Sequence, residues 1–246
     1  MKLDCEFDDG LAGGGAIGLI VLRTDETVEF EAASVFQKAK KACFHSRIPS
    51  HALVTSETLL EMEADLPAAA GLLPKGTDFG AIGYACTSGA TVIGPQNVAK
   101  AIHQHYPGVP TSDPLSSVIA ALKHLEVRKL AVLTPYVPEV THAMQKVLTK
   151  EGFEITNLGA FEEAEDRRIA RITEASTLAA LLKVGSGDVD AVFASCTNLR
   201  TFQIIEQAES QLGKPVISSN LALVWNLLRL SGTPTKGMGP GRLFSD

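Results

Sequence analysis

The strongest constraint on this chain is a segment that occurs twice. Asp78-Phe-Gly-Ala-Ile-Gly-Tyr-Ala-Cys-Thr-Ser-Gly-Ala90 and Asp188-Val-Asp-Ala-Val-Phe-Ala-Ser-Cys-Thr-Asn-Leu-Arg200 share one form, an apolar run that ends in Cys-Thr. The register holds throughout, since Asp78 to Asp188 and Cys86 to Cys196 are both steps of 110. A short apolar run bounded by polar and glycine residues reads as a buried strand. Two similar half-domains follow, each delivering one cysteine at the carboxyl end of a strand, where open parallel sheets bind their ligands. The competing explanation is packing alone, because free cysteine is a small and commonly buried hydrophobe.

Strands and helices alternate around these segments. Ala16 to Leu22 reads as a buried strand and Val28 to Lys41 as a helix, with Phe30, Ala33 and Phe36 at helical intervals. Thr24 or Asp25 can cap that helix, because a short side-chain oxygen accepts an otherwise unpaired N–H. Cys43 to Ile48 suggests a short strand, and Glu57 to Ala70 a helix that Pro67 should bend or restart. Helices are expected from Thr87 to His105, interrupted at Gly94-Pro95, and from Leu115 to Leu125, where Pro114 suits a first helical position. Arg128-Lys129 opens a second unit with strands at Leu130 to Thr134, Gly152 to Leu158 and Ala191 to Ala194, and helices at Glu139 to Lys150 and Ile169 to Leu182. Thr201 to Leu212 and Asn220 to Leu230 read as further helices around a strand at Pro215 to Ser218. Ile17 to Leu130 is a step of 113, close to the cysteine spacing, so the halves match in order as well as at one motif. The expected fold class is α/β, with two pseudo-symmetric flavodoxin-like or Rossmann-like units whose sheets are mostly parallel. The first spans 16–125 with Cys86 and the second 126–220 with Cys196. A C-terminal helix and tail, 221–246, are expected to pack back on the first unit.

Composition removes several function classes. With 246 residues, 45% of them hydrophobic, the chain can bury a large core. Its net charge of -6 and lack of a dense Lys/Arg block give no footprint for nucleic acid. No apolar run approaches the roughly 20 residues that cross a bilayer. The acidic Met1 to Asp9 leader is unlike a secretory signal, so the expected location is the cytoplasm. Cys5, Cys43, Cys86 and Cys196 show no CxxC spacing and no zinc-like grouping with the six histidines, so no metal is expected. Neither a GxGxxG nor a GKS/T motif is present, and no cofactor is expected. The partner implied is a small carboxylate or amino-acid-like substrate, with no nucleic acid and no membrane; a homo-oligomer is compatible with the sequence.

Cys86 and Cys196 are the candidate catalytic pair. A thiol can take a proton from a carbon acid or add to an activated double bond when its pKa is lowered and water is limited. Thr87, Ser88, Thr197 and Asn198 follow the two cysteines, where they can cap helices, bind a ligand, or do both. Thr24 and Asp25 lie in the first strand-end loop with the same ambiguity. Tyr136, after Thr134-Pro, can contact substrate or simply bury its ring. Arg167 is a candidate carboxylate partner, as are Arg47 and Arg200, although an arginine is more often a solvated surface group.

Together, Gly18-Leu-Ile-Val-Leu-Arg-Thr-Asp-Glu-Thr-Val-Glu29, Ala85-Cys-Thr-Ser-Gly-Ala90, Thr134-Pro-Tyr136 and Ser195-Cys-Thr-Asn-Leu-Arg-Thr201 resemble the aspartate/glutamate racemase superfamily. Within it, residues 16 to 230 are most similar to the maleate cis-trans isomerase and arylmalonate decarboxylase branch. The resemblance implies that Cys86 is the nucleophile that adds to a double bond, that Cys196 protonates the intermediate, and that Tyr136 contacts substrate. Racemases of the superfamily use the two positions to remove and return a proton. Arylmalonate decarboxylases have glycine at the first position, so Cys86 argues against simple decarboxylation. Two departures stand out: the isomerases carry asparagine where this chain has Asp25, and again near Asp166-Arg167. Loss of both amides speaks against maleate itself, since an aspartate repels a carboxylate but can receive an ammonium or amidine group. The Asp25 form of the opening is similar to that of ectoine-utilisation proteins in the same branch, which implies a setting in compatible-solute breakdown.

Overall fold

In the computed structural model, which describes residues 1–245, the chain forms two four-stranded parallel sheets built in the same order. Ala16–Leu22 (β1), Ala42–Ile48 (β2), Phe79–Ala85 (β3) and Thr111–Ser112 (β4) pair as β2-β1-β3-β4. Lys129–Thr134 (β5), Glu154–Ala160 (β6), Ala191–Ala194 (β7) and Val216–Ser218 (β8) repeat that order as β6-β5-β7-β8. Parallel strands need crossover connections, and helices supply them. In the first half these are Val28–Lys38 (α1), Ser56–Ala70 (α2), Thr87–Ile93 (α3), Pro95–His103 (α4) and Pro114–His124 (α5). In the second they are Pro138–Lys150 (α6), Asp166–Ile169 (α7), Glu174–Val184 (α8) and Ile205–Leu212 (α9), and Ser219–Leu230 (α10) follows the last strand. All seven residues of β1 are buried, as expected of a central strand covered on both faces, whereas the edge strand β6 alternates between exposed and half-buried. The α/β class and the two matched units read from the sequence are therefore the architecture of the molecule.

Local chemistry sets the helix ends. Asp25 Oδ1 accepts the N–H groups of Thr27 and Val28, both at 2.8 Å, and so supplies the start of α1 from two residues upstream. That helix stops at Lys38, short of the expected Lys41, as the chain turns through Lys40 at φ 54°. Pro67 neither ends α2 nor starts another helix; it sits in the last turns of a continuous 15-residue helix. The single helix expected over Ile169 to Leu182 is instead two. α7 ends at Ile169, and α8 begins at Glu174 after Thr173 Oγ1 accepts the Ser176 N–H at 3.1 Å. Likewise α9 begins at Ile205 rather than Thr201, because the Thr201 and Phe202 N–H groups donate to the carboxylate of Glu31, at 2.6 and 2.9 Å.

The helix α10 follows the second half in sequence but lies against the first. Ten of its twelve residues are buried. Gly83 on β3 leaves room for it, since a Cβ there would stand 2.9 Å from Leu227 Cδ1. Asn226 Nδ2 donates to Ser112 Oγ at 3.0 Å, and Trp225 packs on His124 with ring centres 5.2 Å apart. The tail does not follow the helix onto that half. It turns back to the second, where the Arg242 N–H donates to Glu209 (2.9 Å) and its guanidinium to the Gly213 carbonyl (2.9 Å). Leu243 and Phe244 are buried there because their apolar side chains close that corner of the core. Among the described residues no helix is long and apolar enough to cross a membrane.

Candidate active site

Cys86 is the first residue past β3 and the N-cap of α3. Its Sγ accepts the Gly89 N–H at 3.2 Å and lies 3.6 Å from Ser88 Oγ. Glycine is required at 89 because an added Cβ would sit 2.9 Å from that sulfur. Cys196 follows β7 by two residues and has φ 115°, a backbone conformation that disfavours any side chain. Its N–H donates to Ser219 Oγ at 3.0 Å, and its Sγ accepts the Asn198 N–H at 3.4 Å. Thr87 Oγ1 donates to the same Ser219 Oγ at 2.8 Å. One buried hydroxyl at the start of α10 therefore joins the two thiol loops.

Both thiols wall one cavity. Ser50, His51, Thr58, Ser88, Tyr136, Asp166 and Thr197 supply its polar lining, and Leu22, Val54, Leu59 and Met62 are among its apolar residues. Its free space is about 20 Å³, room for roughly one ordered water. The roof is a strap between the halves: the Val54 N–H donates to the Ala164 carbonyl and the Asp166 N–H to the Ala52 carbonyl, both at 2.9 Å. A larger hollow of about 330 Å³, bordered by Phe30, Glu31, Arg200 and Phe202, contains neither thiol.

Burial dominates the electrostatics. It pushes the Cys86 thiol up to about 11, with the Gly89 N–H pulling it partly back. The Cys196 thiol is held well above the ordinary thiol range by burial and then by the negative charge of Asp166, while Tyr136 lowers it. Tyr136 is itself raised far above its usual value by burial and then by the two thiols. Burial pushes Asp25 up to about 6 against the pull of the Val28 and Thr27 N–H groups, and it raises Asp166 as well.

Of the residues singled out from sequence, Cys86, Cys196, Ser88, Tyr136 and Thr197 line the cavity, and four more stand just behind it. Thr24 Oγ1 donates to Asp166 Oδ2, and Asp25 caps α1. Asn198 accepts the Glu26 N–H at 2.9 Å and donates to the carbonyls of Asp166 (3.1 Å) and Thr24 (3.3 Å). Thr87 serves Ser219.

Arg167 requires correction. Its side chain is 64% exposed and lies 3.4 Å from Glu26, because the short α7 turns Asp166 inward and Arg167 outward. Arg47 and Arg200 also turn elsewhere, to Glu29 (2.5 Å) and to the Ile172 carbonyl (2.9 Å). Sequence reasoning missed Ser219 and did not place Asp166 in the wall. Within Glu-Asp-Arg-Arg only the phase of a one-turn helix distinguishes the inward residue.

Residues 64–244 match the family model described as arylmalonate decarboxylase. The chain is 27% identical to the maleate isomerase of Nocardia farcinica over 93% of its own length and 94% of that protein. It is 30% identical to the arylmalonate decarboxylase of Bordetella bronchiseptica over 56% and 59% of the two chains. Its fold is that of the Pseudomonas putida maleate isomerase solved with maleate, with a TM-score of 0.84, 22% identity and coverage of 94% and 97%. A variant of the Nocardia farcinica maleate cis-trans isomerase, solved with a covalently bound succinylcysteine intermediate, gives 0.81 at 25% identity, covering 93% and 97%.

Proposed function

The chain belongs to the arylmalonate decarboxylase family, and from that premise we propose that it is a cofactor-independent isomerase that applies two facing thiols to a small carboxylate. The observation that carries this reading is the shared cavity: Cys86 and Cys196 come from opposite halves and wall the same space. The maleate isomerase relatives, and the succinylcysteine intermediate described for one of them, favour the cis-trans form of the reaction.

In that form the Cys86 sulfur, as thiolate, bonds to one alkene carbon, and the π pair moves onto the carbon beside the carboxylate. Cys196 gives that carbon a proton, which leaves a saturated thioether. The former double bond, now single, rotates. Cys196 takes the proton back, the carbon–sulfur bond breaks, and the alkene re-forms in the other geometry. The Gly89 N–H and Ser88 hydroxyl stand where they stabilise a Cys86 thiolate, and Tyr136 faces Cys196. The small free space of the cavity limits the water that can reach the carbanion.

The bridging of both thiol loops by Ser219 favours racemisation as the second reading, with one thiol removing an α-proton and the other returning it on the opposite face. Decarboxylation is the weaker alternative because of Cys86. An accessory protein that binds a small molecule without turnover is the non-catalytic one. The relatives described above are named for maleate and arylmalonates, so a place in ectoine breakdown rests on the Asp25 form of the opening alone. Proton NMR in deuterated water, with maleate, small amino acids and substituted malonates, tests the reading. Exchange or isomerisation should be present in the parent and lost in Cys86→Ala and in Cys196→Ala. Turnover that persists in the double variant would exclude the two-thiol mechanism.

A further inference from the structure

We infer that the substrate of this site carries a protonated nitrogen as well as a carboxylate, and that Asp166, backed by Asp25, selects it. The inference rests on the two-thiol reading and adds the charge of the substrate to it.

The observation behind it is a pair of buried carboxyl groups with no free cation to meet them. Asp166 is 4% exposed and forms part of the cavity wall; Asp25, 3% exposed, lies behind that wall beside Thr197. A buried carboxylate ordinarily has a cationic partner or a full set of hydrogen bonds. The Asp166 carboxylate takes the hydroxyl of Thr24, and the Asn198 amide beside it is spent on the Asp166 backbone carbonyl; both partners are neutral. Asp25 is less satisfied. Its Oδ1 takes the two N–H groups at the start of α1, whereas its Oδ2 is fully buried, with no partner at hydrogen-bond distance and only the neutral Thr197 hydroxyl beside it.

Neither lysine nor arginine lines the cavity, and the one histidine that does, His51, is turned to Glu61 at 2.8 Å. The nearby cations are engaged elsewhere: Arg167 and Arg171 with Glu26, Arg168 with Glu163, Arg23 with the Ser50 carbonyl, and Arg47 with the Glu29 carboxylate and the backbone carbonyls of Leu22 and Asp25. An unpaired acceptor in a native interior calls for an explanation.

The chemistry makes the imbalance worse. Whichever reaction runs, a thiolate and then a carbanion must form beside these carboxylates. A dicarboxylate would add two further charges of the same sign. A substrate with one carboxylate and one ammonium or amidinium group adds no net charge, and its cation falls where the site is negative. The same cation would also ready the thiols. Asp166 is among the causes that hold both Cys86 and Cys196 protonated, so a positive group seated on it lowers the cost of either thiolate. An empty site then keeps its sulfurs unreactive, and the proper substrate switches them on.

The test compares maleate with cis-γ-aminocrotonate, in which an aminomethyl group replaces one carboxylate on the same cis alkene. Binding is measured by titration calorimetry in the parent, in Asp166→Asn and in the Asp25→Asn/Asp166→Asn double variant. These substitutions retain the acceptor for Thr24 and the cap of α1. Melting curves check the fold, and Asp166→Asn alone decides the matter if the double variant does not fold.

The parent should bind cis-γ-aminocrotonate about 100-fold more tightly than maleate, the scale set by pairing one buried charge, and the asparagine variants should lose or reverse that preference. Tighter binding of maleate by the parent, an unchanged preference in the variants, or binding of neither compound would overturn the inference. Proton NMR on the same samples separates it from the reaction reading. Charge-selective binding without turnover leaves the inference standing and removes the isomerase. Cys86-dependent turnover of maleate, with maleate bound more tightly, does the reverse.

Discussion

Replacing Cys196 by alanine and by glycine should reveal strain stored under the second thiol. Both changes remove the sulfur, and glycine removes one further buried methyl group. At an ordinary buried position glycine would be the less stable of the two by about 1.5 kcal/mol, from roughly 0.8 kcal/mol of lost burial and about 0.5–1 kcal/mol of extra backbone entropy. Cys196 has φ 115°, where a Cβ costs about 1–3 kcal/mol and glycine is at ease. The two effects oppose each other, so Cys196→Gly should match or exceed Cys196→Ala in stability. The backbone is held in place by the Ser195 N–H on the Leu133 carbonyl (2.8 Å) and the Cys196 N–H on Ser219 Oγ (3.0 Å), which both variants retain. Urea unfolding at 25 °C with equal m-values measures the difference directly. A glycine variant weaker than alanine by about 1.5 kcal/mol or more would show that this backbone is unstrained and that the argument is wrong.

Two further outcomes follow from buried groups around the thiols. Burial pushes Glu31 up to about 7 from an ordinary 4.5, so the folded chain keeps a proton there that the unfolded chain has lost. Its contribution to stability is greatest below pH 4.5 and is lost as pH rises through 7; Glu31→Gln should flatten the stability–pH curve over that window by about 3 kcal/mol. An unchanged slope in denaturant titrations across that window would exclude Glu31 as its source. Gly89→Ala would press a Cβ against the Tyr84 hydroxyl and place it 2.9 Å from Cys86 Sγ; on the two-thiol reading the displaced sulfur should lower kcat by about 100-fold while the fold persists. Full activity in that variant would mean that the sulfur need not sit where Gly89 holds it.

Much of the fold was legible because its central strands are buried on both faces and read as unbroken apolar runs, as in β1, β3 and β5. The repeated Cys-Thr endings placed both thiols at strand ends for the same reason. What stayed hidden depends on partners distant in sequence. The late start of α9 is set by Glu31, some 170 positions away from the backbone it binds. The break between α7 and α8 falls in a stretch whose helical periodicity is uninterrupted, and only the Thr173 cap marks the restart. Ser219 reads locally as an ordinary residue opening a helix. Its role as acceptor for Thr87 and Cys196 appears only when three separate segments meet. Arg167 looked attractive for its charge, yet charge does not reveal direction, and its neighbour Asp166 is the one that faces the thiols.

The crossing of α10 from one half to the other has a mechanical consequence. A cut in the connection at Glu126 would yield two fragments that each lack something the other holds. The N-terminal piece would expose the bed of Leu227 and Asn226, and the C-terminal piece would carry a helix with ten buried positions that has lost its packing against α1, β3, β4 and α5. Mixed, the fragments should reassemble; alone, neither should form a stable body. In the intact chain the helix acts as the spine of a caliper whose jaws are the two thiol loops, both fastened at the Ser219 hydroxyl. Any change that shifts Ser219 should therefore be felt by both thiol loops at once.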